Sequence, residues 1–173
     1  MFVFRGLPCF RGLSGLLLLI VCLFFSSQVF AVEKADFVLV KKSESRLYLM
    51  NAGEVIRDFH VVFGDNPVGH KKQQGDNRTP EGSYVLDRKK ENSAFYRAIR
   101  ISYPNAADVA RAEAKGVHPG GRIMIHGQRN GYGHLAHIMQ QYNWTSGCIA
   151  LTNQEMDIIW EAVEIGTPIT ILP

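Results

Sequence analysis

The chain has 173 residues, of which 19 are Lys or Arg and 16 are Asp or Glu, so its formal net charge is only +3 at pH 7. This near balance argues against a nucleic-acid partner, which selects for clusters of basic residues. The length fits one small domain with a hydrophobic core of its own.

The first 31 residues are predicted to form a secretory signal peptide. Arg5 and Arg11 give a positively charged N-terminal region, and the apolar run Leu13–Phe25 follows it. Val29–Ala31 then resembles the cleavage site that a signal peptidase recognises. The remaining chain is then exported. The alternative is a retained N-terminal anchor, which is the only way in which we expect membrane attachment.

Removal of this segment leaves 17 basic and 16 acidic residues and one cysteine. Cys9 and Cys22 depart with the signal, so Cys148 has no disulfide partner within the exported chain. A lipid attachment through Cys22 is disfavoured, because Val21 is not the small residue that normally precedes a modified Cys. A lone cysteine is often buried and inert, but the small residues before Cys148 favour a reactive thiol.

The exported part opens with three short apolar runs that predict consecutive antiparallel hairpins. Phe37–Val40 and Arg46–Met50 are separated by a polar turn, and Val55–Phe63 follows a second turn that contains Gly53. Apolar and polar residues alternate in the third run, which places His60 toward solvent or the rim of the sheet.

A long polar segment, Gly64–Pro80, predicts a loop with a basic face that can meet an anionic substrate. Several shorter elements follow it. They are a strand at Ser83–Leu86, a charged turn at Asp87–Asn92, a strand at Ala98–Ser102 and a surface helix at Ala106–Lys115 capped by Asn105.

The strongest chemical signal is a His and a Cys that are 22 positions apart. The apolar run Ile123–Ile125 predicts a buried strand that fixes His126 at its end. Ser146 and Gly147 leave room for a substrate carbonyl before Cys148, and Gly147 allows successive N–H groups to form an oxyanion hole. Because only the thiolate is a strong nucleophile and a nearby imidazole lowers the pKa of a thiol, we predict that Cys148 is the nucleophile and His126 its base.

The loop Gln128–Trp144 leaves a second interpretation open. His134 and His137 have the i, i+3 spacing of a metal-binding pair, and Cys148 would be a third zinc ligand. No paired-Cys or His-Glu-x-x-His spacing supports this site, so we expect no metal and no organic cofactor. The aromatic residues of the loop are expected to pack beneath it or to wall the substrate cleft.

The segment after the cysteine predicts a helix and a final strand. Thr152–Glu155 is a capping box, Gly166 is expected to end the helix, and Pro168–Leu172 has the pattern of a strand. The N-terminus of this helix adds a modest electrostatic push toward the thiolate. Its apolar stripe consists of Met156, Ile159, Trp160 and Val163, which assigns Trp160 to the core.

The segments around His126 and Cys148 resemble the L,D-transpeptidase catalytic domain of bacterial cell-wall enzymes, and the resemblance covers roughly residues 36–173. In that family a strand ends in His-Gly and a loop leads to Ser/Thr-His-Gly-Cys, which match His126-Gly127 and Gly147-Cys148. The segment Gly75–Tyr84 is similar to the family's Gly-x-x-x-Thr-Pro-x-Gly-x-Tyr/Phe motif. Ser146 and Ala150 replace the usual second His and the usual Arg.

The resemblance implies a mainly β fold, a mixed β-sheet sandwich with a few short helices, for a catalytic domain at 32–173. It also implies an enzyme of the periplasm or cell envelope that acts on peptidoglycan. Cys148 would attack a tetrapeptide donor before its terminal D-Ala and pass the acyl group to an amine, which is a stem peptide, a D-amino acid or a protein lysine. Gly127 would hold the imidazole through its carbonyl, and the N–H groups of Gly147 and Cys148 would stabilise the oxyanion.

Substrate contacts are expected from Thr79, Gly82, Ser146, Arg129 and Trp144, with Arg129 as a substitute for the missing Arg. Two other functions remain open at this stage. One is a hydrolase that cleaves the same class of bonds with water as acceptor. The other is a catalytically silent wall-binding module, against which the intact Cys and His argue.

Overall fold

The computed structural model describes residues 32–173, and the predicted signal segment lies outside the described residues. Eight strands form a mixed sheet in the order β3-β2-β1-β8-β4-β5-β6-β7, joined by short helices. The predicted mainly β class with a mixed sheet is confirmed. The strands are β1 (Phe37–Lys41), β2 (Arg46–Asn51), β3 (Glu54–His60), β4 (Gly82–Ser93), β5 (Tyr96–Ile101), β6 (Met124–His126), β7 (Ile149–Ala150) and β8 (Pro168–Leu172), and the helices are α1 (Ala106–Glu113), α2 (Ala136–Met139) and α3 (Asn153–Ala162).

The first three strands pair antiparallel in chain order, and β8 adds parallel to β1. Val38 and Val40 of β1 and Leu47 and Leu49 of β2 are fully buried, because alternate residues of a strand face the same side of the sheet. His60 is exposed, as expected. Strand β3 ends at His60 and not at Phe63 as predicted, because Val62 pairs instead with Ala150 of β7.

The charged turn predicted at Asp87–Asn92 is wrong. This segment belongs to β4, whose twelve residues pair first with β8 and then with β5. The pairing with β5 shifts register between Leu86 and Arg88, so Asp87 is an extra residue, as in a β-bulge. Such bulges re-aim side chains, and this one turns the charged half of β4 toward the functional site described below.

The capping box before α3 is confirmed: Thr152 Oγ1 accepts from the Glu155 N–H at 3.2 Å, and Glu155 Oε2 accepts from the Thr152 N–H at 3.0 Å. The helix ends at Ala162, so Gly166 does not end it but lies in the turn before β8. Trp160 packs only partly into the core. The other side of its ring is covered by Lys89 and Arg97, whose Nζ and Cζ atoms lie 5.0 and 5.3 Å from the ring centre.

The helix α1 lies on the surface as predicted, with five of its eight residues exposed, but it is also anchored to the core. Its Asn105 cap forms as predicted, but Asp108 is buried and accepts a hydrogen bond from the Tyr84 hydroxyl at 3.0 Å. The helix is therefore tied to β4. Within residues 32–173, no helix is long and apolar enough to cross a membrane.

Candidate active site

The parallel pairing of β6 and β7 brings the two predicted chemical groups together. His126 is the last residue of β6 and lies opposite Ala150, while Ile125 lies opposite Ile149. Cys148 is the residue directly before β7. In this parallel register Cys148 lies level with Met124, two positions before His126, so two residues that are far apart in the chain come to neighbouring strands, and both open on the same cavity.

The imidazole of His126 is fixed by its own neighbour. Its Nδ1–H donates to the Gly127 carbonyl at 2.7 Å, which leaves Nε2 as the nitrogen with a free lone pair. A Cβ at Gly127 would lie 2.6 Å from Asn153 Oδ1 and 3.0 Å from Tyr96 Cβ, so this position has no room for a side chain. Burial lowers the pKa of His126, although the hydrogen bond to Gly127 opposes this effect. The ring is therefore a neutral base at neutral pH.

Two aromatic rings also pack against the imidazole of His126. The Phe95 ring lies 4.7 Å from the His126 ring between centroids, and the Trp144 ring lies 5.8 Å away. Phe95 and Trp144 stack on each other at 6.0 Å. The hairpin between β4 and β5 supplies Phe95, and no pattern in the sequence predicts that this residue reaches the site.

A tight turn presents Cys148. Thr145 Oγ1 donates to the Cys148 carbonyl at 2.7 Å and accepts from the Gly147 N–H at 3.1 Å. Gly147 has φ of 122°, and a Cβ there would lie 2.5 Å from the Arg78 carbonyl oxygen. Glycine is thus required twice at this position, by conformation and by contact.

The electrostatics of Cys148 differ from the expectation of a lowered pKa. Burial raises the pKa of the thiol, while a hydrogen bond from the Met124 backbone and the charge of Lys71 only partly oppose it. The thiol donates weakly to the Arg122 carbonyl at 3.6 Å. At rest the two groups are therefore a neutral thiol and a neutral imidazole.

The segment Gly75–Tyr84 supports this turn from behind. Its Asp76 keeps a pKa below the usual range despite burial, because Lys71 and three backbone N–H groups donate to it. Thr79 is fully buried and its Oγ1 accepts from the Gly64 N–H at 3.4 Å. Gly82 begins β4 with φ of 125°. Thr79 and Gly82 do not line the cavity, so their positions fit a supporting role rather than contact with a substrate.

The cavity in front of the Cys–His pair has a volume of about 660 Å³. Ser146, Arg129 and Trp144, from which substrate contacts are expected, line it, and the Arg129 guanidinium lies 5.6 Å from the centre of the Tyr132 ring. Gln128, also on this wall, buries an Oε1 atom that has no hydrogen-bond donor among residues 32–173. Tyr132, one of the loop aromatics expected beneath the loop or at the cleft, also lines the cavity, whereas sequence reasoning missed several other lining residues, which are Lys90, Ser93, Ala94, Phe95, Arg122, Met124, Gln128 and Met139.

The zinc interpretation required His134, His137 and Cys148 to converge. Both histidines are exposed on the short helical segment and neither lines the cavity. Within residues 32–173, no three His, Cys, Asp or Glu side chains come together as a group that could hold a metal ion.

Comparison with known proteins connects this geometry to one family. A sequence model of the L,D-transpeptidase catalytic domain (YkuD) matches residues 35–171. YafK from Escherichia coli K12, named as a candidate L,D-transpeptidase, is 30% identical over 138 residues, which are 79% of this chain and 46% of that protein.

Solved structures show the same fold. The helical cell shape determining protein Pgp2 (K307A mutant) from Campylobacter jejuni matches with a TM-score of 0.59 and 26% identity, over 82% of this chain and 48% of its own. An L,D-transpeptidase from Xylanimonas cellulosilytica matches with a TM-score of 0.52 and 15% identity, over 80% of this chain and 61% of its own. The chain spans about half the length of YafK and Pgp2.

Proposed function

This chain belongs to the L,D-transpeptidase catalytic-domain family, and on that premise we propose that it forms an acyl-enzyme on Cys148 with a peptidoglycan stem peptide and passes the acyl group to an amine. The observation that carries the proposal is the opening of Cys148 and His126 on one cavity, with Nδ1 of the imidazole held by Gly127. That arrangement leaves Nε2 as the proton acceptor.

The first half of the reaction follows from these protonation states. As Sγ of Cys148 bonds to the donor carbonyl carbon, the thiol proton moves to Nε2 of His126. Collapse of the tetrahedral intermediate breaks the C–N bond, and the imidazolium returns the proton to the departing amine of D-Ala. The Gly127 carbonyl keeps the ring oriented while it carries positive charge.

The second half uses the same groups in reverse order. The neutral imidazole takes a proton from the incoming amine as its nitrogen bonds to the thioester carbon, and the thiol is restored when the C–S bond breaks. The Gly147 N–H already donates to Thr145 Oγ1, so the oxyanion role falls first on the Cys148 N–H.

The nucleophile is tested by intact-mass spectrometry after incubation with a carbapenem. We expect wild type to gain the mass of one drug molecule and Cys148→Ala to gain none, while circular dichroism shows the same fold. Ser146→Ala is the matched control, because it removes a hydroxyl from the cavity wall but leaves the thiol in place, so it should still be acylated even if acylation is slower. An adduct on Cys148→Ala would refute the assignment.

The acceptor is tested separately with a purified disaccharide-tetrapeptide as donor. We expect crosslinked or exchanged products when a D-amino acid or a second stem peptide is present. Release of the tripeptide alone, with no amine product at high acceptor concentration, would instead establish a hydrolase that uses the same acyl-enzyme.

The cellular location is proposed from the pattern of residues 1–31. We expect the protein in the cell envelope, with the exported form starting directly after Ala31. Intact mass of the protein recovered from the envelope fraction tests this: a mass that includes the first 31 residues would favour the retained anchor.

A further inference from the structure

A basic depression lies beside the active-site cavity and opens into it. It has a volume of about 360 Å³ and shares four lining residues with the larger cavity, so the two form one continuous surface. Its lining consists of Arg88, Lys90, Ala98, Arg100, Arg122 and Met124.

The sheet register builds this surface. Lys90 of β4 lies opposite Ala98 of β5, which in turn lies opposite His126 of β6. The small side chain of Ala98 therefore leaves a gap between the ammonium group and the proposed base. In the neighbouring row, Arg88 lies opposite Arg100, which lies opposite Met124. Side chains two positions apart on a strand share a face, so both rows face the site.

The charges on this surface are not balanced from within the protein. Arg100 makes a bidentate ion pair with the Asp87 carboxylate, with N–O distances of 2.7 and 2.8 Å. By contrast, Arg88, Lys90 and Arg122 make no ion pair or side-chain hydrogen bond with any group in residues 32–173. Arg88 lies opposite Arg100, and the single carboxylate of Asp87 is shared between the two positive charges, since it pairs with Arg100 and also interacts with the charge of Arg88.

We propose that Arg88, Lys90 and Arg122 form an anion-binding subsite that holds a carboxylate of the peptide that reacts at Cys148. Guanidinium and ammonium groups are the usual protein partners of carboxylates, and the subsite borders the reacting atoms. The inference rests on the proposed function. It names a recognition element for that reaction: a substrate residue that carries a second carboxylate is preferred over one that does not.

The carboxylate can come from the donor or from the acceptor, and two substrate pairs separate these sources. For the donor, tetrapeptides with meso-diaminopimelate or L-Lys at the third position differ by one carboxylate. For the acceptor, D-Ala and D-alaninamide differ in the same way. Single-turnover acylation of Cys148 measures the first pair, and consumption of the preformed acyl-enzyme measures the second.

The test compares wild type with Arg88→Gln, Lys90→Gln and the double variant. We expect wild type to favour the carboxylate-bearing member of one pair, and the double variant to lose that preference by about tenfold or more. Arg88→Lys, which keeps the charge, should retain most of it. Arg57→Gln is the matched control, because Arg57 is exposed on β3 at the other end of the sheet.

The outcomes separate the two claims. A changed ratio in the donor pair assigns the carboxylate to the donor, and one in the acceptor pair assigns it to the acceptor; either supports the subsite. Normal acylation with ratios that move less than about twofold in both pairs overturns the subsite alone. Failure of wild type to form any acyl-enzyme overturns the proposed function and the subsite with it.

Discussion

The two walls of the cavity are built in different ways. The turn Thr145–Cys148 is joined to the core: the Thr145 N–H donates to the Phe63 carbonyl at 3.1 Å, and just beyond the turn the Ala150 N–H donates to the Val62 carbonyl at 2.8 Å. The facing segment, Gln128–Trp144, makes many of its backbone hydrogen bonds within itself and exposes large apolar side chains at Tyr132, Ile138 and Tyr142.

This difference suggests that the two walls have different roles at the site. Reacting groups need placement to a fraction of an ångström, and strands and buried turns provide it for His126 and Cys148. The facing segment instead offers aromatic and cationic side chains at the entrance, where their identity can set which peptide enters. Variants on the first wall should therefore damage chemistry or folding most, and variants on the second should have smaller effects on the acylation rate and mainly change selectivity.

The largest expected effect on catalysis is the loss of the base. His126→Gln keeps the size of the side chain but removes the proton acceptor, and acylation of Cys148 should slow by about 10²- to 10⁴-fold. Stopped-flow measurement of acylation by a β-lactam gives the rate.

The exposed histidines of the facing segment provide the controls. His134→Ala and His137→Ala should each change the acylation rate by less than about tenfold, or roughly 1.4 kcal/mol. Equal damage from either variant, with circular dichroism unchanged, would show that these residues form a site of their own.

The next effect is on folding. Gly147→Ala places a Cβ against the Arg78 carbonyl at a positive φ, and we expect the free energy of unfolding to fall by roughly 3 kcal/mol or more. Gly131→Ala is matched, because Gly131 has φ of 85° but open space around it, and its cost should stay near about 1 kcal/mol.

Urea denaturation of both variants measures the comparison. Equal losses of stability would mean that conformation alone, and not the close approach of the Gly75–Tyr84 segment, demands glycine beside the cysteine. That result would weaken the support role assigned to this segment.

A smaller effect is expected at the aromatic wall. Trp144→Ala removes a ring that packs on both His126 and Phe95, and acylation should slow by about three- to tenfold. Tyr142→Ala removes an exposed aromatic side chain of the same segment and should leave the rate within about twofold. A similar loss in both variants would indicate that the whole segment, not the ring contact, positions the imidazole.

Local signals in the sequence were sufficient for several elements. The Thr152–Glu155 capping box fixes the start of α3, because both of its hydrogen bonds join residues within one turn. The strand Pro168–Leu172 is found with the predicted bounds. The pairing of a Cys and a His across a loop was likewise suggested by residue type, and the fold brings both to one cavity.

Other features depend on partners that are distant in the chain. Asp87–Asn92 has the composition of a turn, yet pairing with β5 makes it strand. The raised pKa of Cys148 comes from burial by the assembled fold, which outweighs the local effects that favour a thiolate. Arg122, whose carbonyl accepts a weak hydrogen bond from the Cys148 thiol and whose φ is 58°, has no local sequence pattern that predicts this position.

The central claim is that a neutral His126 takes the proton of a neutral Cys148, and the pH dependence of single-turnover acylation tests it most directly. Because burial lowers the pKa of His126 below its usual value of 6.5, the base form persists to acidic pH, and the rate should fall only below that value. Because burial raises the pKa of Cys148 above 9.0, the thiol should not ionise alone between these limits. The account predicts a level rate from about pH 7 to 8 that drops on acidification in wild type, with the acid limb absent in His126→Gln. A rate that climbs steadily toward alkaline pH with the same profile in both proteins would contradict it, since the thiol would then ionise without help from His126.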